Sequence, residues 1–370
     1  MPWLTATIST RAAYFKIRKK LARDGVIVRS SNYALYGDLS QRVMSCLEEL
    51  APKLEIYSID EAFLDVYGMR DPDAFGHRIV KTVKQWTAIL VSVGIAPTKT
   101  LAKIANRISK GNDSPVHVLE KPPWPLDDIT VEKVWGIGRR WAKRLRAKGI
   151  GTAGDLANLD VRMARGEFNV VLERTVRELR GESFLPLEDA PPPAQHIMVS
   201  CGFSQRVVDR QYLHEAVATY ATRVAEKARD KGVHARTLQV FIRTSPHEKG
   251  PRYSNLTTWT FADPAQDTLS IVKAATNCLD KLWKPNYAYQ KAGVMLIDLV
   301  SADHKPTPLF DRINPASEKL MEVIDRLNRH HGRETVRVAS SGYVRPWSMA
   351  RQFLSPCYTT RWDDLPVARA

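Results

Sequence analysis

Two short strand patterns on either side of a pair of adjacent acids constrain this chain more than any other feature. Lys53-Leu54-Glu55-Ile56-Tyr57-Ser58 alternates its side chains as a strand does, and Ala62-Phe63-Leu64-Asp65-Val66-Tyr67 reads as a second strand. Asp60 and Glu61 fall between them, two carboxylates at the tip of a tight hairpin. Acids at a turn are ordinarily just solvated. A rigid tip with paired carboxylates can also hold divalent cations over a phosphate, because hard oxygen ligands suit magnesium. That is the chemistry of phosphoryl transfer, in which metal ions clamp the attacking and leaving oxygens.

Composition says what kind of partner to expect. At 370 residues the chain has room for two to four domains, each with its own core. A formal net charge of +15, with a pI near 9.7, exceeds what solubility needs and points to a polyanion, most simply nucleic acid. No apolar run approaches the roughly 18 residues of a spanning helix, and the N-terminus has no signal-peptide pattern, so no membrane role is expected. Cys46, Cys201, Cys278 and Cys357 lie far apart with no metal-ligand spacing and read as reduced cytosolic thiols.

The periodicities divide the chain into four regions. Up to about residue 118 strands and helices alternate: a strand over 24–31, a helix over 37–50, the acidic hairpin, a helix over 73–90, a strand over 91–97 and a helix over 98–109. This mixture predicts an antiparallel sheet with helices on one face. Lys121-Pro122-Pro123-Trp124-Pro125 is a break, a small helical region follows, and Pro191-Pro192-Pro193 is a stiff linker. Residues 197–300 then read β-α-β-β-α-β, a split βαβ arrangement. Beyond residue 301 one helix stands out, over 317–329.

Two basic groups complete the pattern. Lys99, Lys103 and Arg107 recur every four residues opposite an apolar stripe of Leu101, Ile104, Ala105 and Ile108, with Lys110 just beyond. Such a stripe is ordinarily a solvated face; its alternative use is to neutralise a triphosphate or a DNA backbone. In Val134-Trp135-Gly136-Ile137-Gly138-Arg139-Arg140, a helix-like run over 130–135 meets a Gly-x-Gly turn and a second helix over 140–147, and the basic cluster Arg139, Arg140, Lys143, Arg144, Arg146 and Lys148 follows the turn directly. Helix-hairpin-helix modules grip DNA backbone in this way, whatever its sequence.

These residues carry a family resemblance. Tyr-Ser-Ile-Asp-Glu-Ala-Phe-Leu-Asp (57–65), Val-Gly-Ile-Ala-Pro-Thr-Lys-Thr-Leu-Ala-Lys-Ile-Ala-Asn (93–106) and Val-Trp-Gly-Ile-Gly-Arg-Arg (134–140) resemble the Y-family translesion DNA polymerases. Residues 168–181 and 289–296 resemble the branch that includes the catalytic subunit of bacterial DNA polymerase V. The resemblance implies an α+β multidomain fold: a partial palm with a fingers remnant at 1–118, a helical thumb at 119–190, a βαββαβ little finger at 196–302 and a tail at 303–370. It implies magnesium-dependent, error-prone translesion synthesis by two-metal nucleotidyl transfer in SOS repair and mutagenesis, in the cytoplasm. Asp60 and Glu61 look like metal-binding catalytic carboxylates and Lys110 like a triphosphate contact. Gly136, Gly138, Arg139, Arg140 and Lys143 look like primer-template contacts. Leu309 and Phe310 look like a weakened sliding-clamp peptide. The implied partners are primer-template DNA, deoxynucleoside triphosphates, a processed UmuD dimer, the RecA filament and the sliding clamp.

One departure stands against these agreements. Members of the family open with a palm strand that bears a further metal-binding Asp and an aromatic steric gate, and residues 1–13 match none of it. The expectation is a chain truncated at its N-terminus, through a misplaced start codon or a shortened gene. Its alternative function is that of a catalytically inactive, primer-template-binding remnant. An unrelated two-metal enzyme would need another acid, and Asp65 lies four residues along a strand that rises about 3.3 Å per residue.

Overall fold

Capping residues set where the helices start. In the computed structural model, which describes residues 14–188, 194–248, 250–304, 315–349 and 353–367, Asn32 accepts the Leu35 amide at 3.3 Å to open α2 (Tyr33–Leu50), after a short α1 (Tyr14–Arg23). Asp71 accepts the Ala74 amide at 2.9 Å, with Pro72 in the first turn of α3 (Pro72–Thr87). Between these helices β1 (Leu54–Ile56) and β2 (Ala62–Leu64) pair antiparallel, Leu54 opposite Leu64 and Ile56 opposite Ala62. A second pair, β3 (Val93–Ile95) and β4 (Val116–Val118), is parallel, with α4 (Lys99–Ser109) as the crossover. Gly94 lets β3 press on α4, since a Cβ there would fall 2.0 Å from the Asn106 backbone nitrogen.

The chain divides into two units, residues 1–191 with 353–370, and residues 192–352. In the first, α5 (Arg139–Arg146), α6 (Ala153–Asn158), the one-turn α7 (Val161–Met163) and α8 (Val170–Leu179) form the helical region. Its core includes α4: Leu101, Ile104 and Ala105 bury in one cluster with Leu145, Leu156, Val176 and Leu179. A separate small core joins Met44, Leu47, Phe75, Ile79 and Val83 beneath the hairpin.

The sequence pattern differs from the structure at three places here. The antiparallel sheet expected up to residue 118 is instead two separate pairs, one antiparallel and one parallel, because the α4 crossover brings β4 back in the direction of β3. The strand expected over 24–31 is irregular, with Ile27 exposed and one bridge, from Ser30 to Leu354, because among the described residues no neighbouring strand completes a ladder. The run 130–135 forms only a 3₁₀ turn, Val131–Lys133. The final segment returns to the start of the unit. Ser30 N–H donates to the Phe353 carbonyl at 2.8 Å, and the buried Asn32 side chain donates to the carbonyls of Ser355 at 3.0 Å and Pro356 at 3.3 Å.

The second unit has the order β5 (His196–Val207), α9 (Arg210–Asp230), β6 (Val233–Thr244), β7 (Ser254–Ala265), α10 (Thr268–Leu282), β8 (Tyr289–Ser301). Its strands lie β5-β8-β6-β7, every pair antiparallel. Leu213, Val217 and Ala221 of α9 and Ile271 and Leu279 of α10 bury against Leu238, Val240 and Ile242 of β6. Each such large side chain contributes about 1.5–3 kcal/mol relative to exposure. The helix α11 (Pro315–His331) joins this unit through a two-toothed Arg229–Asp325 ion pair at 2.6 and 2.8 Å. Among the described residues no helix is long and apolar enough to cross a membrane.

Candidate active site

The β1–β2 hairpin closes its own tip: the amides of Tyr57 and Ser58 both donate to the Glu61 carbonyl, at 3.1 and 3.0 Å. Ser40 of α2 donates its hydroxyl to the Ile59 carbonyl at 2.6 Å, tying the tip to the helix behind it. Ser58 donates to Asp60 Oδ1 at 2.6 Å. The Asp60 carboxylate is exposed and Glu61 half-buried, so both acids are presented at one rigid turn.

The basic face of α4 meets this hairpin. Lys103 Nζ donates to Glu61 Oε1 at 2.5 Å, and Lys99 Nζ donates to Glu55 Oε2 at 2.5 Å and to the Pro186 carbonyl at 2.8 Å. Two of the three stripe cations thus hold acids of this chain. No local signal reveals these pairs, because the partners are more than 40 residues apart and only the register of β1–β2 against α4 brings them together. Lys110, at the C-terminal cap of α4, is exposed.

Trp135 connects the hairpin to the helical region. Its indole N–H donates to the Tyr57 hydroxyl at 3.1 Å, and the rings of Tyr57, Phe63 and Trp135 stack within 5.4–5.8 Å of one another. Gly136 follows with φ +84°, a left-handed turn that favours glycine, and Gly138 caps α5 without a side chain. Of the six cations that follow, three are engaged: Arg144 stacks on Trp141 and Phe168, Arg146 pairs with Glu132 at 2.6 Å, and Lys148 pairs with Glu167. Arg146 and a backbone hydrogen bond hold the Glu132 carboxyl below its usual range, the backbone bond contributing most. Arg139, Arg140 and Lys143 remain exposed, with no partner among the described residues. Leu309 and Phe310 lie outside the described residues.

A residue that the sequence reading passed over organises the region. Glu178 of α8 is fully buried, and its carboxylate accepts the amides of Thr100 at 3.0 Å, Phe184 at 2.8 Å and Leu185 at 3.1 Å. One acid thereby ties α8 to the first turn of α4 and to the segment leading out of the helical region.

The donor chemistry at the tip fits a magnesium ion delivered with a nucleotide, because magnesium is ordinarily held by one or two carboxylates, several waters and substrate phosphates. Among the described residues no group of three or more His, Cys, Asp or Glu side chains converges, so a third acid to bridge a second ion is not assembled there.

Comparison with known proteins defines the class. A solved Y-family DNA polymerase, the chimera Dbh-Dpo4(243-245)-Dbh, shares this fold with a TM-score of 0.61 at 20% identity, over 77% of this chain and 82% of that one. The impB/mucB/samB family model matches residues 7–107, the model of that family's C-terminal domain matches 194–309, and a domain of unknown function, DUF4113, matches 318–368. Protein UmuC of Salmonella typhimurium strain LT2 is 47% identical over 95% of this chain and 86% of its own length, and Protein ImpB of Salmonella typhimurium is 43% identical over 96% and 87%. The chain belongs to the impB/mucB/samB family, on the Y-family polymerase fold.

Proposed function

We propose that the chain is an error-prone translesion DNA polymerase of the UmuC type, with Asp60 and Glu61 as its metal-holding acids. The observation that carries this reading is the rigid acidic tip, braced by α2 and α4, in a chain 47% identical to Protein UmuC. Magnesium, when bound, supplies Lewis-acid stabilisation of phosphoryl oxygens. The residues of the chain supply the rest. Asp60 and Glu61 orient the ion, Ser58 orients Asp60, and exposed Lys110 contacts the triphosphate of the incoming nucleotide. Gly136, Gly138, Arg139, Arg140 and Lys143 grip the primer-template backbone. A processed UmuD dimer, the RecA filament and a sliding clamp bound through Leu309 and Phe310 are the protein partners, in the cytoplasm.

Magnesium-dependent primer extension on undamaged and abasic templates tests this, with an Asp60→Ala, Glu61→Ala double variant alongside. Extension by the chain that the double variant loses supports the reading. Absence of extension with primer-template binding intact overturns it and makes the chain a DNA-binding remnant.

A further inference from the structure

The two acids of the tip stand in different company. Glu61 receives the Lys103 ammonium at 2.5 Å, while the neighbour of Asp60 is the neutral Ser58 hydroxyl at 2.6 Å. The two lysines on this face of α4 also differ. Lys99 is held by two oxygens, Glu55 Oε2 and the Pro186 carbonyl, and its side chain is 11% exposed. Lys103 has one oxygen partner, lies 5.7 Å from the centre of the Tyr57 ring, and is 24% exposed. Lys99 is a fixed brace. Lys103 is a point charge on a flexible stem, less enclosed and with fewer oxygen partners than Lys99.

We propose that Lys103 is an exchangeable counter-ion for Glu61. It keeps the carboxylate aimed, opposes loading of a bare divalent cation, and passes to phosphate oxygens when a nucleotide brings the cation in. This rests on the reading of Asp60 and Glu61 as cation-holding acids. The physics predicts opposite signs in two states. Without nucleotide, a positive charge one hydrogen bond from the ligand oxygen competes with and repels a divalent ion. With nucleotide, the freed ammonium neutralises phosphate charge and strengthens binding. A lysine that served only to support the fold would weaken both states together when removed. Lys103 thus positions Glu61 in the first state and contacts the nucleotide in the second.

The test is manganese binding followed by electron paramagnetic resonance on the full chain, with and without a non-hydrolysable deoxynucleoside triphosphate analogue. Lys103→Met and Lys103→Gln should each bind free manganese about tenfold more tightly than the unaltered chain, as expected for removing a nearby like charge. Both should bind the manganese–nucleotide complex more weakly, and Lys103→Arg should restore the original order. Manganese binding that Asp60→Asn and Glu61→Gln leave unchanged sinks the site itself. Binding that those variants weaken, with Lys103→Met no tighter than the unaltered chain, sinks the exchange alone. Circular dichroism melting of each variant separates loss of fold from loss of charge.

Discussion

Glu178 shows how much a single buried acid can hold. Its carboxylate serves three backbone amides, of which that of buried Thr100 is shut away from water, and its own carbonyl accepts the Thr98 hydroxyl at 2.9 Å. Glu178→Ala should cost about 2–3 kcal/mol, since the buried Thr100 amide loses its acceptor together with two part-buried hydrogen bonds, and Glu178→Gln should cost less; urea unfolding measures both. Glu226 gives a pH dependence. Burial raises its carboxyl above the ordinary Glu range, against the opposing pull of Arg333 and Arg229. Between the ordinary and the raised value the folded state keeps a proton that the unfolded state has released, so stability falls as pH rises through that window. Glu226→Gln should therefore melt higher than the parent chain at pH 7, an advantage that disappears below about pH 4, where Glu is protonated in both states. The adjacent acids of the tip could be read from the sequence because they are neighbours between two strand patterns. Glu178 could not: its amide partner on α4 is 78 residues away, and in the sequence it is one helical glutamate among several.

At the scale of elements, the proposed primer-template contact falls on α5. Arg139, Arg140 and Lys143 are exposed, whereas Arg144, Arg146 and Lys148 are spent on contacts within the unit. Replacing the three free cations by Ala should weaken primer-template binding and flatten the slope of log affinity against log salt by about 2–3, near 0.9 per lost phosphate contact. Fluorescence anisotropy across a salt series measures this. Gly136→Ala tests the turn itself. Nothing lies within 4 Å of a Cβ there, so the cost is backbone strain alone, about 1–2 kcal/mol for a left-handed residue. Amphipathic helices and long strands were legible: the pattern predicts a helix over 98–109 and the order β-α-β-β-α-β over 197–300, and α4 and the elements from β5 to β8 follow it. Residues 24–31 carry a β-branched Val-Ile-Val run that suggests a strand, yet a strand is a property of a pair, and among the described residues one bridge is all the neighbour provides.

On the scale of the whole molecule, the first unit is discontinuous in sequence. Its last segment, 353–367, meets Ser30 and Asn32 some 320 residues earlier, after the chain has passed through the second unit. The segment matched by DUF4113, 318–368, therefore divides, with α11 on the second unit and the closing segment on the first. No local pattern announces this, because Asn32 and its partners on Ser355, Pro356 and Cys357 lie more than 320 residues apart. Asn32→Ala should cost about 1–2 kcal/mol, losing a helix cap together with these hydrogen bonds. It should also speed hydrogen exchange at the Ser30 amide while β6 and β8 amides stay protected, a contrast that mass spectrometry resolves. The same discontinuity bears on synthesis. A ribosome releases residues vectorially, so every strand and helix of the second unit has emerged before the piece that seals Asn32 exists. The first unit must wait, part finished, for the last few codons, and a message cut just short of them would yield a protein whose second unit is whole and whose first unit is left open at that seam.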